Sequence, residues 1–317
     1  MVGFDRAFTD EYLEKAQWAL ADDGDPTPAL DLIAGTEDAD RREHAVAVLG
    51  PAGALRIELL RGMAARQAYR PERWLLLGAS LSAAAWAVRE DNHATPVATE
   101  RLVQEQQALV AEARTALRQA AALSRDDPVP WSELAGAVIC APQHRTETAD
   151  VFKRACVLAP DLYAAHTRHL TALTHRWYGT QDKVLAFART RTADRPDGHP
   201  LHALVALAHL EGYVDGLLRG TVVGRFWRAW RYFADSTVRR ETDTAAARLL
   251  AGHAAYATHP WTIPAHQAFA ALYHQAGDPA AARPHLALSG SHPTTWPWRY
   301  FGDPETQFTT ARATAGL

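Results

Sequence analysis

Histidine is the side chain whose ordinary pKa lies nearest neutrality, so histidines at helical spacing are the first place to look for proton transfer or metal ligation. The 317-residue chain has 15 of them. His166 and His169 share a predicted helical face with Leu170, Leu173 and Trp177. On the next helix, at about 100° per residue, His202, His209 and Tyr213 fall on one face while Glu211 and Asp215 fall on the other. Neutral imidazoles on adjacent helices could converge on a metal, and two of them with a tyrosine could move protons. The opposing consideration is stronger. No carboxylate shares the histidine faces to complete a ligand set, and single histidines on apolar faces ordinarily bond a backbone carbonyl. No metal and no cofactor is therefore expected. His166, His169, His202 and His209 are the candidate ligands should a metal bind, and His202, His209 and Tyr213 the candidate catalytic groups should the chain be an enzyme, a question the sequence leaves open while leaning against it.

Other reactive chemistry is sparse. There is no glycine-rich phosphate loop, nucleophile elbow, HExxH or paired CxxC. Cys140 and Cys156 lie on apolar helical stretches with no zinc or redox spacing and read as buried free thiols. Asp22-Asp23-Gly24-Asp25 has the look of a metal loop but precedes Pro26 and Pro28, where acids cap helices. Residues 219–240 carry six arginines against Asp235, with Phe226, Trp230 and Phe233 on one face and Trp227 at its edge. Only three lysines occur in the whole chain, so this arginine reflects coding bias more than phosphate recognition, and nucleic acid is not an expected partner. Residues 1–40 are acidic, with eleven carboxylates against Arg6 and Lys15. The start of the chain has no basic, apolar signal pattern, and the longest uncharged run, Trp74 to Val88, is short for a bilayer. A cytoplasmic protein without a membrane span is expected.

These groups sit on helices throughout. Hydrophobic residues make up 48% of the chain, with abundant alanine and ten tryptophans, which suits closely packed helices rather than disorder. From Trp131 to Arg195 two helix pairs repeat the same landmarks. The first runs through Pro130, Trp131, Leu134 and Val138, then Phe152, Ala155 and Pro160. The second runs through Tyr163, Leu170, Leu173 and Trp177, a Gly179-Thr180 turn, then Phe187, Ala188 and Pro196. A remote copy spans Ala265 to Tyr273 and, after Gly277-Asp278-Pro279, a helix ending at Ser289-Gly290. These landmarks resemble the tetratricopeptide repeat, which implies an all-α, tetratricopeptide-like α/α superhelix of antiparallel helix pairs with no β-sheet. One solenoid body over 1–317 is expected, divisible into an N-terminal helical part, 1–125, and the repeats with an aromatic C-terminal cap, 126–317.

Trp177-Tyr178-Gly179-Thr180, Leu185 to Arg189 and Pro196-Asp197-Gly198-His199-Pro200-Leu201, leading into Ala208 to Glu211, are similar to an actinobacterial family of helical proteins catalogued as a domain of unknown function. That likeness covers residues 80–215 and supplies no activity. Family members more often carry Lys-Trp-Gly-Gly-Ser where this chain has Arg176 to Thr180. The expected function is a non-enzymatic scaffold that holds a peptide or protein partner in a concave groove. By register, Thr167, Thr171 and Thr174 would offer small polar groups to it. The alternative is an enzyme or small-molecule binding protein of a biosynthetic pathway, with Trp177, Tyr213, Trp227 and Trp230 shaping an enclosed cavity.

Overall fold

In a computed structural model the described residues are 10–94, 100–140, 146–177, 179–218 and 231–317. They form fifteen α-helices joined by short 3-10 and π segments, and among them there is no strand. No described helix is long and apolar enough to cross a membrane. The chain divides into two compact units, Met1–His169 and Leu170–Leu317. The division falls inside the helix Tyr163–Ala172.

The first unit holds α1 (Glu11–Trp18), α2 (Thr27–Gly35), α3 (Ala39–Gly53), α4 (Ile57–Arg66), α5 (Pro71–Ala94), α6 (Glu100–Leu123), α7 (Val129–Ile139), α8 (Glu147–Leu158) and the start of α9 (Tyr163–Ala172). α5 packs along α6 and α3, and α7 packs on α6 and α8. Their apolar faces bury Leu49, Leu76, Leu117 and Leu134 in one continuous core. Of the acids at 22–25, Asp25 accepts from the Thr27 N–H at the start of α2. Cys140 is buried, whereas Cys156 is partly exposed.

The second unit contains α10 (Gln181–Thr192), α11 (Ala203–Leu218), α12 (Ser236–Ala251), α13 (Thr262–Gln275), α14 (Pro279–Leu288) and α15 (Pro304–Thr314). The α13–α14 turn follows the sequence closely. Gly277 takes φ +70, Asp278 accepts from the Ala281 N–H, and Pro279 opens α14. In the aromatic tail Trp298 is fully buried, its indole N–H donating 2.9 Å to Gln267 of α13 and its ring edge-on to Phe308. At the other end of the unit, Gly198 and Gly252 bring two backbones together: a Cβ on Gly252 would lie 1.9 Å from the Asp197 carbonyl oxygen, and one on Gly198 2.1 Å from that of Gly252. The α10–α11 connection is thereby pressed onto the end of α12, and the Gly198 N–H donates 2.8 Å to the Arg248 carbonyl.

Candidate functional site

The second unit holds a cleft of about 350 Å³. α12 supplies one wall through Thr237, Glu241, Thr244 and Arg248, spaced 4, 3 and 4 residues apart and therefore on one helical face. α10 supplies Arg189 and Thr192, and the turn into α11 supplies His202. Arg189 makes a forked contact with Glu241, Nε to Oε1 at 2.7 Å and an outer nitrogen to Oε2 at 2.8 Å. This planar, two-point pairing is the strong form of a guanidinium contact. It holds the Glu241 carboxyl below the ordinary range, aided by His209. Arg248 bonds Asp197 at 2.9 Å and reaches the carbonyls of Thr192 and Arg195, so it caps the end of α10. Arg240, also lining the cleft, is exposed and has no partner among the described residues. Three guanidinium groups against Glu241 and Asp197 leave one positive charge uncompensated.

Behind the cleft a partly buried row of polar groups runs toward Glu241. His209 Nε2 lies 3.4 Å from Glu241 Oε2, and its Nδ1 lies 3.0 Å from the Tyr232 hydroxyl. Gln181 donates to the Ala208 carbonyl at 2.8 Å and reaches the Tyr232 oxygen at 3.5 Å. One proton arrangement fits the row: Gln181 donates to Tyr232 and Tyr232 to His209 Nδ1, which leaves the His209 Nε2–H near Glu241 without a hydrogen bond. Burial lowers the His209 imidazole below its ordinary pKa, against the pull of Glu241, and the neutral ring suits this arrangement.

Among the described residues no three His, Cys, Asp or Glu side chains are grouped to hold a metal ion. Each candidate imidazole is turned to a local partner. His166 Nδ1 meets the Leu162 carbonyl at 2.8 Å, His169 stacks on Phe152 at 4.1 Å, and His202 Nε2 meets the Pro196 carbonyl at 3.0 Å. Of the three candidate catalytic groups, His209 and Tyr213 both approach Tyr232, the latter with ring centroids 6.3 Å apart, while His202 faces the cleft separately.

α9 ends at Ala172 rather than carrying the helix through Trp177. The Gly179 N–H folds back onto the Thr174 carbonyl at 2.9 Å, and a Cβ on Gly179 would sit 1.7 Å from the Leu173 oxygen. Trp177 is buried in a 3-10 turn, and Thr174 is buried with its hydroxyl on the Thr171 carbonyl. Thr167 likewise donates to its own helix, at Ala164. The regular Thr167, Thr171, Thr174 register is therefore interrupted at its third member. Trp227 and Trp230 lie outside the described residues.

Sequence reasoning missed Arg189, Tyr232, Arg240, Glu241 and Arg248. The signal was the 237, 241, 244, 248 spacing, hidden because the arginine and aromatic pattern of residues 219–240 runs across its first position. It also missed a second histidine cluster. His253 Nδ1 lies 2.9 Å from His266 Nε2, and His266 Nδ1 lies 2.9 Å from His285 Nδ1. The first unit has a hollow of about 280 Å³, but its arginines are matched, Arg42 by Asp127 and Arg70 by Glu72.

No family model matches the chain, and no curated protein matches it either.

Proposed function

We propose that the protein is a non-enzymatic helical-repeat scaffold, a tetratricopeptide-like superhelix, that binds an acidic segment of a peptide or protein partner in the cleft of its second unit. The observation that carries the reading is the cleft's charge state. It is open, its acid Glu241 is already neutralised by Arg189, and among the described residues the one unpartnered charge it presents is the guanidinium of Arg240. One net positive charge matches one carboxylate. Proton transfer is poorly served, because His202 faces a backbone carbonyl and burial lowers its pKa against that hydrogen bond. The superhelix itself is supported by the helix pairs α7–α8, α10–α11 and α13–α14, each packed on its own partner.

The test uses two purified proteins, the wild type and Thr244→Trp, which plants an indole in the cleft from an exposed position. Proteins from the source organism retained by the wild type and lost with T244W are identified, purified and measured for direct binding. A single partner whose acidic segment binds the wild type and loses at least tenfold affinity with T244W supports the reading. Equal retention by both proteins, or a small molecule co-purifying in the cleft, removes it.

A further inference from the structure

The row His253, His266, His285 ties three elements together. His253 directly follows Gly252 at the end of α12, His266 is on α13 and His285 on α14. His266 and His285 are fully buried, whereas His253 is partly exposed. His285 stacks on Phe269 at 5.0 Å and on Tyr273 at 6.1 Å. Its outer nitrogen, Nε2, is buried and has no hydrogen-bond partner among the described residues.

Counting protons decides what this row tolerates. Three neutral imidazoles carry three N–H protons. Two occupy the two bridges, leaving one for an end: His253 Nε2, toward solvent, or His285 Nε2, in the core. The first choice leaves only a bare lone pair buried, so both bridging protons point from His285 toward His253. A fourth proton changes this. With both bridges intact, four protons must fill both ends, and His285 Nε2 becomes a buried N–H without an acceptor. The added positive charge would also lack a counterion. None of the three rings makes an ion pair among the described residues.

The charged groups on the surrounding elements are engaged elsewhere. Asp243 of α12 accepts from Tyr273, Asp278 at the head of α14 pairs with Arg239, and Glu211 of α11 takes the Tyr300 hydroxyl. Arg312 of α15 is bound to the carbonyls of Leu286 and Gly290. His199 and His259 flank Tyr256, and His274 lies beside Trp298. Among the described residues no carboxylate is paired with the row to compensate a charge on it.

We propose that His253, His266 and His285 form an acid-sensitive latch that fixes the end of α12 to α13 and α14 when neutral and lets go when protonated. Because Gly252, next to His253, presses on the Asp197-Gly198 backbone that anchors Arg248, release also loosens the cleft. The link to the cleft, though not the latch, rests on the binding function proposed above. Burial and mutual repulsion hold both inner rings far below the ordinary histidine value, to about 3. The opened state therefore takes up protons that the closed one refuses.

Hydrogen exchange read by mass spectrometry on the unliganded full chain tests the latch. After correction for intrinsic exchange, the α12–α14 segment is expected to lose protection between about pH 7.5 and about pH 5, on the order of thirtyfold for each ring that titrates near its ordinary value once released. α7 and α8 are the internal reference and should change far less. The double variant H266L/H285F should remove the difference. If that variant does not fold, nitrogen-15 spectra of the wild-type imidazoles decide, because the latch requires His285 as the Nδ1–H tautomer and both inner rings neutral at about pH 5.5 in the closed state. Protection that is independent of pH, or inner rings that become charged without loss of protection, would overturn the latch. A latch that opens on schedule in a protein that captures no acidic partner would leave this inference standing and remove the binding function. A captured partner with a pH-insensitive α12–α14 would do the reverse.

Discussion

Glu43 shows how a single buried residue can organise a fold that spacing alone describes poorly. It lies on α3, fully buried, and accepts from the Ala164 N–H at 2.7 Å, the Ala165 N–H at 3.1 Å and the Ser132 hydroxyl, with Arg168 3.6 Å away. Two N–H groups of the first turn of α9 thus find their acceptor on a helix more than a hundred residues earlier. Burial pushes the Glu43 carboxyl up to about 8, against Arg168, Ser132 and Ala164, which pull it down. Glu43→Ala is expected to destabilise the protein by about 3–5 kcal/mol, since it strands two backbone donors, a hydroxyl and part of an arginine in the core. A urea titration should show the midpoint falling with the slope unchanged. A midpoint shift equivalent to less than about 1 kcal/mol would mean that α9 is capped some other way. Gln267 plays a similar part in the second unit, where it collects Trp298, Thr294 and the carbonyls of Ser289 and His292.

At the scale of the element, what could be read from the sequence was local. The α13–α14 turn was legible because glycine with positive φ, an aspartate cap and a first-turn proline act within four residues of one another. The end of α9 was not, because it is set by Gly179 reaching back to Leu173 and Thr174 across an apolar period that runs on to Trp177. The start of α12 was masked in the same way. Asp235 accepts from Thr237 and Val238, a complete cap, yet the arginine and aromatic pattern continues across it. The cleft and the histidine latch depend on side chains from separate helices, and period alone cannot pair them. The Gly198–Gly252 contact makes the most direct prediction for an element. Gly252→Ala places a methyl group 1.9 Å from a carbonyl oxygen, so the α10–α11 connection must lift off α12. The expected cost is about 2–4 kcal/mol, with a fall in melting temperature of roughly 4–16 °C. Acidic-peptide binding should weaken as well, because Arg248 loses its anchor. Unchanged melting would show that the two backbones are free to separate.

Across the whole molecule the titrating groups divide by sign. His202, His209, His266, His274 and His285 all have pKa values lowered, in each case chiefly by burial. Between their folded values and the ordinary value of 6.5 the unfolded chain binds more protons, so their contribution is fully present above about pH 6.5 and is lost as the pH falls. Glu43 and Glu211 act in the opposite sense. Burial raises both carboxyls above 4.5, so what they contribute is present below that value and lost as the pH rises, through about 8 for Glu43. Tyr163, Tyr232, Tyr273 and Tyr300 are raised by burial as well and favour the folded state until the medium passes their ordinary value of 10, beyond which that state loses ground as they are forced to ionise. Asp25, Glu147, Asp235, Glu241 and Asp303 are lowered and lose their contribution only as the pH falls below their ordinary values of 3.8 and 4.5, so the limb between about pH 5 and about pH 6.5 belongs to the histidines. Calorimetric melting temperature should rise from about pH 5 to about pH 6.5, fall again toward about pH 8 as the unfolded chain ionises Glu43 and Glu211 more readily than the folded one, and decline further above about pH 10. H266L/H285F should flatten the acid limb by at least half, since those two rings carry the largest displacements among the five histidines. A wild-type acid limb centred near pH 4, where ordinary carboxylates titrate, would assign acid unfolding to surface ion pairs and remove the buried histidines from the account.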